Sequence, residues 1–202
     1  INFFIEKKTL AVVNGFDHHR IDSVESAISN TKHFNQSSKA KILCVGALNN
    51  TKNQIALLEV LKTTKIEAEI IFLGDGINKG SLIDFSKELD RHTKIIFKGR
   101  VSRNLTIEHM LEADVSISLS KGEGLPIAVL ESMYAGCFQI LSIIPPHKEI
   151  APPMNRCIYV DASNASEIIS SLDFIRDNIA SIRTSRITSR EYSVKNFGLD
   201  NM

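Results

Sequence analysis

Tryptophan is missing from this 202-residue sequence, and only three tyrosines and three cysteines occur. Cys44, Cys137 and Cys157 are too few and too scattered for a disulfide framework or a zinc cluster. They read as reduced thiols of a cytoplasmic protein. Charge of one sign is not in excess either: 24 lysines and arginines against 23 aspartates and glutamates leave a formal net charge of +1. That gives no electrostatic footprint for nucleic acid or an acidic surface. No apolar run approaches the ~20 residues of a membrane span, and no signal-peptide pattern is present. Internal repeats and low-complexity stretches are also lacking. The chain opens Ile1-Asn2-Phe3 without a methionine, so it is expected to be a piece of a longer protein. What remains is 43% hydrophobic and 23% charged, the balance of an ordinary globular protein. A chain of this length buries about 70% of its unfolded surface without staples. Disorder, collagen and coiled coil are excluded.

Short β-rich apolar runs alternate with longer helical patterns. Strands are predicted over residues 9–13, 39–46, 68–73, 94–97, 114–119, 138–142 and 157–160. Helices are predicted over 52–63, 77–89, 105–111, 126–134, 165–175 and 179 to about 190. The 39–46 strand carries its apolar residues in one run, the mark of a strand buried on both faces. Strands separated by helices of this length form βαβ units, and hence an α/β, doubly wound, mostly parallel sheet. In such a sheet ligands bind at the carboxyl ends of the strands. The loops to interrogate are therefore 46–52, 74–80, 99–103, 120–126 and 142–149.

The most informative of these is Ser120-Lys-Gly-Glu-Gly-Leu-Pro126, followed by the helix that carries Glu131. A glycine-bearing loop leads from a strand into a helix whose first position suits Pro126. Free N–H groups around residues 124–128 and the positive end of the helix make an anion site. Glu123 and Glu131 cannot be phosphate ligands themselves, since like charges repel. They suit the hydroxyls of a sugar and a ribose flanking a diphosphate.

E-G-L-P-x-x-x-L-E over 123–131, followed by S-M-x-A-G, closely resembles the E-x7-E segment of retaining GT-B glycosyltransferases of the family-4, or group 1, type. Further landmarks stand in the family's order. Val13-Asn14-Gly15-Phe16-Asp17 resembles V-x-N-G-V-D, and Val45-Gly46-Ala47-Leu48 with Lys52 resembles V-G-R-L-x-x-x-K. Phe72-Leu73-Gly74-Asp75-Gly76 matches x-G-D-G, and Phe97-Lys98-Gly99-Arg100-Val101 matches F-x-G-x-V. Glu149 resembles the acidic residue before the penultimate strand, and Glu191-Tyr192-Ser193-Val194 resembles E-F-S-W.

The resemblance implies a Rossmann-like C-terminal lobe that binds a nucleotide sugar. It divides the chain into a lead-in from another lobe (1–38), the nucleotide-sugar-binding domain (39–178) and a C-terminal helical segment (179–202). Lys52 would pair with the donor diphosphate, and Glu123 with Gly124, Leu125 and Pro126 would hold the sugar and distal phosphate. Glu131 would accept from the ribose, Val101 would flank the base, and Gly46 and Gly74 would line the donor site. Glu123 and Lys52 are the catalytic candidates. The implied reaction transfers a hexosyl-type sugar from UDP with retention, to a surface-glycan or lipid-linked acceptor held by the other lobe. No cofactor is expected, and the absence of any Asp-x-Asp pair fits a metal-independent enzyme. One departure stands out: Ala47 occupies the place of the family's usual arginine, which leaves open a weakened site or a non-catalytic module. Lys121 or Arg100 could supply the missing charge.

Other features have blander readings. Gly74-Asp-Gly76-Ile-Asn-Lys-Gly80 is one residue longer than a dinucleotide fingerprint and follows a later strand, although Arg100 keeps an NADP-binding lobe as the rival reading. His18-His19 reads as a surface turn rather than a metal pair, and His109 as structural. Ser132 lacks a nucleophile elbow, and Cys44 reads as a small apolar filler. Arg183, Arg186 and Arg190 form a stripe at helical spacing, read as a solvated face diluted by Asp173, Asp177 and Glu191. The alternative is peripheral contact with an anionic membrane at its inner face.

Overall fold

The computed structural model describes residues 16–29, 39–89, 92–151 and 156–197; the 9–13 strand and the Val13-Asn14-Gly15 landmark lie outside them. The strands are β1 (Ala40–Val45), β2 (Ala68–Leu73), β3 (Lys94–Gly99), β4 (Val115–Ser118), β5 (Phe138–Ser142) and β6 (Cys157–Val160). The helices are α1 (His18–Ser29), α2 (Gln54–Val60), α3 (Lys79–Ser86), α4 (Arg103–Glu112), α5 (Ile127–Tyr134), α6 (Pro145–Ile150), α7 (Ala165–Thr184) and α8 (Ile187–Phe197).

All six strands pair in parallel, in the order β3-β2-β1-β4-β5-β6. The chain steps outward from β1 to β3, then returns to β1's other side with β4. The strand order therefore reverses between β1 and β4, the place where a doubly wound sheet opens a crevice for ligand. Because side chains alternate across a strand, the sheet feeds two cores. Ile42, Ile70, Phe72, Val115, Ile117 and Ile140 face α2, α3 and α7. Leu43, Ile71, Leu73 and Leu141 face the other layer, with Ile107, Met110, Leu130 and Met133 from α4 and α5. Helix α1 joins that second core through Ile21 and Val24.

The sequence expectation differs from the structure in several places. The two predicted helices over 165–175 and 179–190 merge into the 20-residue α7. No proline or glycine interrupts that stretch, and buried Ile168, Leu172, Ile175 and Ile182 keep one apolar stripe running through it. Helix α6 falls within the 142–149 stretch that the sequence reads as a loop; Pro145 and Pro146 stand at its start, where proline is tolerated. His18 does not lie in a surface turn. It opens α1 and is buried, edge-on to Phe16 and Tyr134.

The arginine stripe is not simply a solvated face, because each of its cations is engaged within the fold. Arg183 pairs with buried Asp114 at 2.9 Å. Arg186 donates to the carbonyls of Leu111, Ala113 and Ala135 at 2.8–3.0 Å, closing the C-terminal ends of α4 and α5. Arg190 pairs with Asp22 and Glu25 of α1 and lies over the Tyr134 ring. Arg186 alone thus serves two helix ends, satisfying carbonyls that have no partner within their helices. Arg186→Met is expected to strand the Leu111 and Ala135 carbonyls, leave Ala113 O with only the Cys137 thiol, and cost at least about 2 kcal/mol. Urea unfolding checks this, and a midpoint equal to wild type would refute the clamp.

Candidate functional site

The floor of the crevice is a ladder of strand ends. Gly46, Gly74 and Gly99 close β1, β2 and β3 with φ of 149°, 141° and 69°. Gly46 N–H donates to Leu73 O at 2.9 Å, and Gly74 N–H to Gly99 O at 2.8 Å. Gly74 is demanding: a Cβ there would stand 1.9 Å from Gly46 O. Only glycine lets these two turns stack so closely.

Two loops meet across the switch point. The 46–52 loop follows β1, and the 119–126 loop follows β4; Lys121 N–H donates to Thr51 O at 2.8 Å and ties them together. Lys52 stands just before α2, its own N–H held by Asn49 Oδ1 at 2.9 Å. Its ammonium reaches across to Glu123, with Nζ 2.6 Å from Oε1 and 2.7 Å from Oε2. Ser120 Oγ–H donates to the same Oε1 at 2.6 Å. The two catalytic candidates from the sequence thus form one ion pair, with the Glu123 side chain 9% exposed and Lys52 28% exposed. Beside them lies a cleft of about 60 Å³ walled by Val45, Lys52, Ser118, Glu123, Pro126 and Ile127.

The start of α5 opens into this cleft. Pro126 is the residue before the helix rather than its first turn, a shift of one position from expectation. Its carbonyl takes the N–H groups of Val129 and Leu130, and Leu125 O takes that of Ile127. Among the described residues, no oxygen takes the N–H of Gly124, Leu125 or Ala128. Unpaired donors at a helix N-terminus beside an ammonium make a site for an anion.

Glu131 sits on α5 and is 1% exposed, so its carboxylate needs a partner. It is not joined to Lys52. Arg103, on the first turn of α4, donates from Nη1 to Oε2 at 2.7 Å and pairs through Nη2 with Oε1. Burial lowers the Arg103 pKa from its usual value, the nearby Arg20 lowers it further, and Asp17 opposes both. Val101 lies two residues ahead of Arg103 and packs on the same core face. Ala47 is exposed, its carbonyl held by Gln54 Nε2 at 2.9 Å, so no side chain there supplies the missing charge. Lys121 and Arg100 are exposed on neighbouring loops. Glu149 is exposed on α6. The 74–80 loop carries its own pair, Lys79 with Asp75 at 2.8 Å, which holds the Asp75 carboxyl below its usual pKa.

Three participants escaped the sequence reading: Arg103, the Ser118–Ser120 pair and His147. His147 is fully buried on α6 behind the 119–126 loop. Like Ser120 in the 120–126 loop, it lies in a stretch singled out at a strand end, 142–149, but its residue type alone does not set it apart from a core histidine. Arg103 had one signal, its place in the loop already singled out after β3. Among the described residues, no group of three or more histidines, cysteines or acids is arranged to hold a metal, and no helix is long and apolar enough to cross a membrane.

With this geometry in hand, comparison with known proteins is specific. The profile of the family described as glycosyl transferases group 1 matches residues 26–185. The O-antigen biosynthesis glycosyltransferase WclY of Escherichia coli is 30% identical over 179 residues, covering 87% of this chain and 48% of its own length. The chain therefore spans about half the length of that relative. A glycosyltransferase structure from Rickettsia africae superposes with a TM-score of 0.78 at 17% identity, over 97% of this chain and 55% of its own. The structure of Anabaena HepE in complex with UDP-glucose gives a TM-score of 0.71 at 15% identity, over 92% and 52%.

Proposed function

The chain belongs to the group 1 glycosyl transferases, and from that premise we propose that it is the donor-binding half of a retaining, metal-independent enzyme. It takes a hexosyl-type sugar from a nucleoside diphosphate, UDP by preference, for a surface-glycan or lipid-linked acceptor held by a further lobe. The observation that carries this reading is the cleft at the β1/β4 switch point, where Lys52, Glu123 and the α5 N-terminus converge. The family match removes the NADP-binding oxidoreductase alternative.

In this reading the diphosphate docks on the unpaired N–H groups at the start of α5 and draws Lys52 to itself. As the bond to the sugar breaks, negative charge grows on the distal phosphate, and fixed donors and one ammonium stabilise it without reorganising. No resident metal or cofactor takes part. Freed of Lys52, Glu123 accepts from sugar hydroxyls, with the Gly124, Leu125 and Pro126 backbone alongside. Glu131 accepts from the ribose in place of, or together with, Arg103, and Val101 flanks the base. Gly46 and Gly74 let the donor lie close against the strand ends. UDP is favoured because HepE was solved with UDP-glucose. The acceptor class is supported by WclY, an O-antigen biosynthesis enzyme, and by CapH of Staphylococcus aureus, a capsular polysaccharide biosynthesis enzyme 29% identical over 152 residues. A second reading, a module that no longer binds donor, is favoured by Ala47 alone.

Calorimetric titration with UDP, GDP, ADP and NADPH separates these. Saturable binding of UDP is expected, weakened roughly 10- to 100-fold by Glu131→Ala, the worth of one or two hydrogen bonds to a charged acceptor. The chain by itself is expected to bind donor and transfer sugar poorly or not at all. Affinity for NADPH that Glu131→Ala leaves unchanged would contradict the assignment, and silence toward every nucleotide would favour the lapsed module.

A further inference from the structure

Behind the Lys52–Glu123 pair, a chain of hydroxyls ends on a histidine with no exposed surface. His147 Nδ1 lies 3.0 Å from the Ser142 carbonyl and 3.1 Å from Ser142 Oγ. That hydroxyl donates its own hydrogen to Ser120 O at 2.5 Å. Both groups facing Nδ1 therefore present lone pairs, and the network assigns the proton of the neutral ring to Nδ1. Nε2 is then an acceptor. It faces Ser118 Oγ at 3.4 Å, Ser118 Oγ stands 3.1 Å from Ser120 Oγ, and Ser120 donates to Glu123 Oε1 at 2.6 Å.

Three gaps separate Nε2 from Glu123, and the two serines contribute one hydrogen each. Two hydrogens cannot fill three gaps. The gap at Nε2 is the widest, which marks it as the one left empty. One added proton completes the chain. Placed on Nε2, it fills the empty gap while both hydroxyls keep pointing toward Glu123, so that the carboxylate gains a connected cation. In the unliganded protein Lys52 already fills that need by touching both carboxylate oxygens.

We propose that His147 is a positioning residue of the donor site, taking up a proton through Ser118 and Ser120 when a nucleoside diphosphate draws Lys52 away from Glu123. The inference rests on the reading of Lys52 as the partner of the donor diphosphate. The proton comes from solvent by way of Glu123, whose side chain is 9% exposed. Glu123 passes the proton to Ser120 Oγ, Ser120 passes its own to Ser118 Oγ, and Ser118 passes its own to Nε2. An N–H bond forms there, each serine ends with one O–H bond as before, and Glu123 ends as the carboxylate. The consequence is a Glu123 carboxylate that stays oriented for the sugar after its first cation has left.

The electrostatics run in the required direction. Burial lowers the His147 pKa from its usual value; the Ser142 carbonyl and Glu123 raise it, and Lys52 lowers it. Departure of Lys52 removes a lowering influence and leaves Glu123 in place, so protonation becomes easier. From β6, the Tyr159 hydroxyl sits between the backbone carbonyls of Ala151 and His147, the latter at 3.1 Å. On α6 itself Lys148 and Glu149 are exposed.

Two measurements test this. Without any nucleotide, Lys52→Met imitates the departure of the ammonium, and the ring-carbon NMR signal of His147 is followed against pH. The midpoint is expected to rise by about one pH unit, to rise equally when Ser118→Thr is added, and to lose most of the rise with Ser118→Ala or Ser120→Ala. An unchanged midpoint, or a rise indifferent to both alanine variants, overturns the relay. With UDP, titration calorimetry near pH 7 in two buffers of different ionisation heat should show uptake of on the order of half a proton per UDP. The uptake should vanish in His147→Gln. UDP binding without proton uptake overturns the inference while the donor reading stands. Failure of UDP, GDP and ADP to bind overturns the donor reading, and with it the trigger proposed for His147.

Discussion

Lys52→Met is expected to weaken UDP binding by a hundredfold or more. Two penalties act together in the variant. The diphosphate loses a charge-assisted contact, about 1.5–3 kcal/mol. In addition Glu123, whose side chain is only 9% exposed, keeps its charge beside the incoming anion with Ser120 as its remaining partner. Like charges at this distance repel even through a protein-like medium. Isothermal titration measures the loss directly. Glu123→Gln supplies the opposite arm: it frees Lys52 from its internal partner, so UDP should bind at least as tightly as to the unaltered chain, although the sugar loses its acceptor. Lys52→Met binding within threefold of the unaltered chain would remove Lys52 from the donor site. Equal weakening by both substitutions would show that the pair acts only as a structural bridge between the two loops.

Gly74→Ala is expected to cost about 3–5 kcal/mol, a large share of the 5–15 kcal/mol that holds a domain together. The added Cβ would lie 1.9 Å from Gly46 O and 2.8 Å from Gly46 C, both backbone atoms that cannot rotate aside. The φ of 141° adds strain for any residue with a side chain. Relief would require β1 and β2 to separate at their ends, breaking the Gly46 N–H to Leu73 O bond of 2.9 Å. These strands lie inside the sheet, so the damage reaches both cores. A fall in melting temperature of about 10 °C follows for a chain of this size. Gly80 is the control: nothing lies within 4 Å of its would-be Cβ, and it sits in α3, so Gly80→Ala should be neutral or slightly stabilising. A Gly74→Ala melting temperature matching that control would mean that the strand ends relax more readily than their packing indicates.

The elements most legible in the sequence are those with a local cause. β1 reads as a strand because its apolar residues run together, which only burial on both faces demands. The five loops at the strand ends were likewise readable, and the two that meet at the switch point carry Lys52 and Glu123. Helices were harder: Pro145-Pro146 starts α6 within a stretch read as loop, and α7 runs unbroken through residues 176–178, with Arg176 bridging Asp173 and Asp177 and Asn178 Nδ2 donating to Phe174 O. Arg183, Arg186 and Arg190 read as a solvated stripe because helical spacing states which face they share, not what that face meets.

By itself, the sequence determined the α/β class, the alternation of strand and helix, the glycines at the strand ends and the candidates Lys52, Glu123 and Glu131. Each of these depends on a chemical pattern spread over a few neighbouring residues. Only the tertiary structure decided which charges meet. Lys52 and Glu123 are 71 positions apart, Arg103 and Glu131 are 28 apart, and Arg190 and Asp22 are 168 apart. The strand order places β4 beside β1, and that placement alone brings the two loops of the candidate site together and sets His147 behind Ser118 and Ser120. Such pairings depend on the packing of the whole sheet between its helices, where every core residue contributes a little, and no short stretch of sequence records that sum.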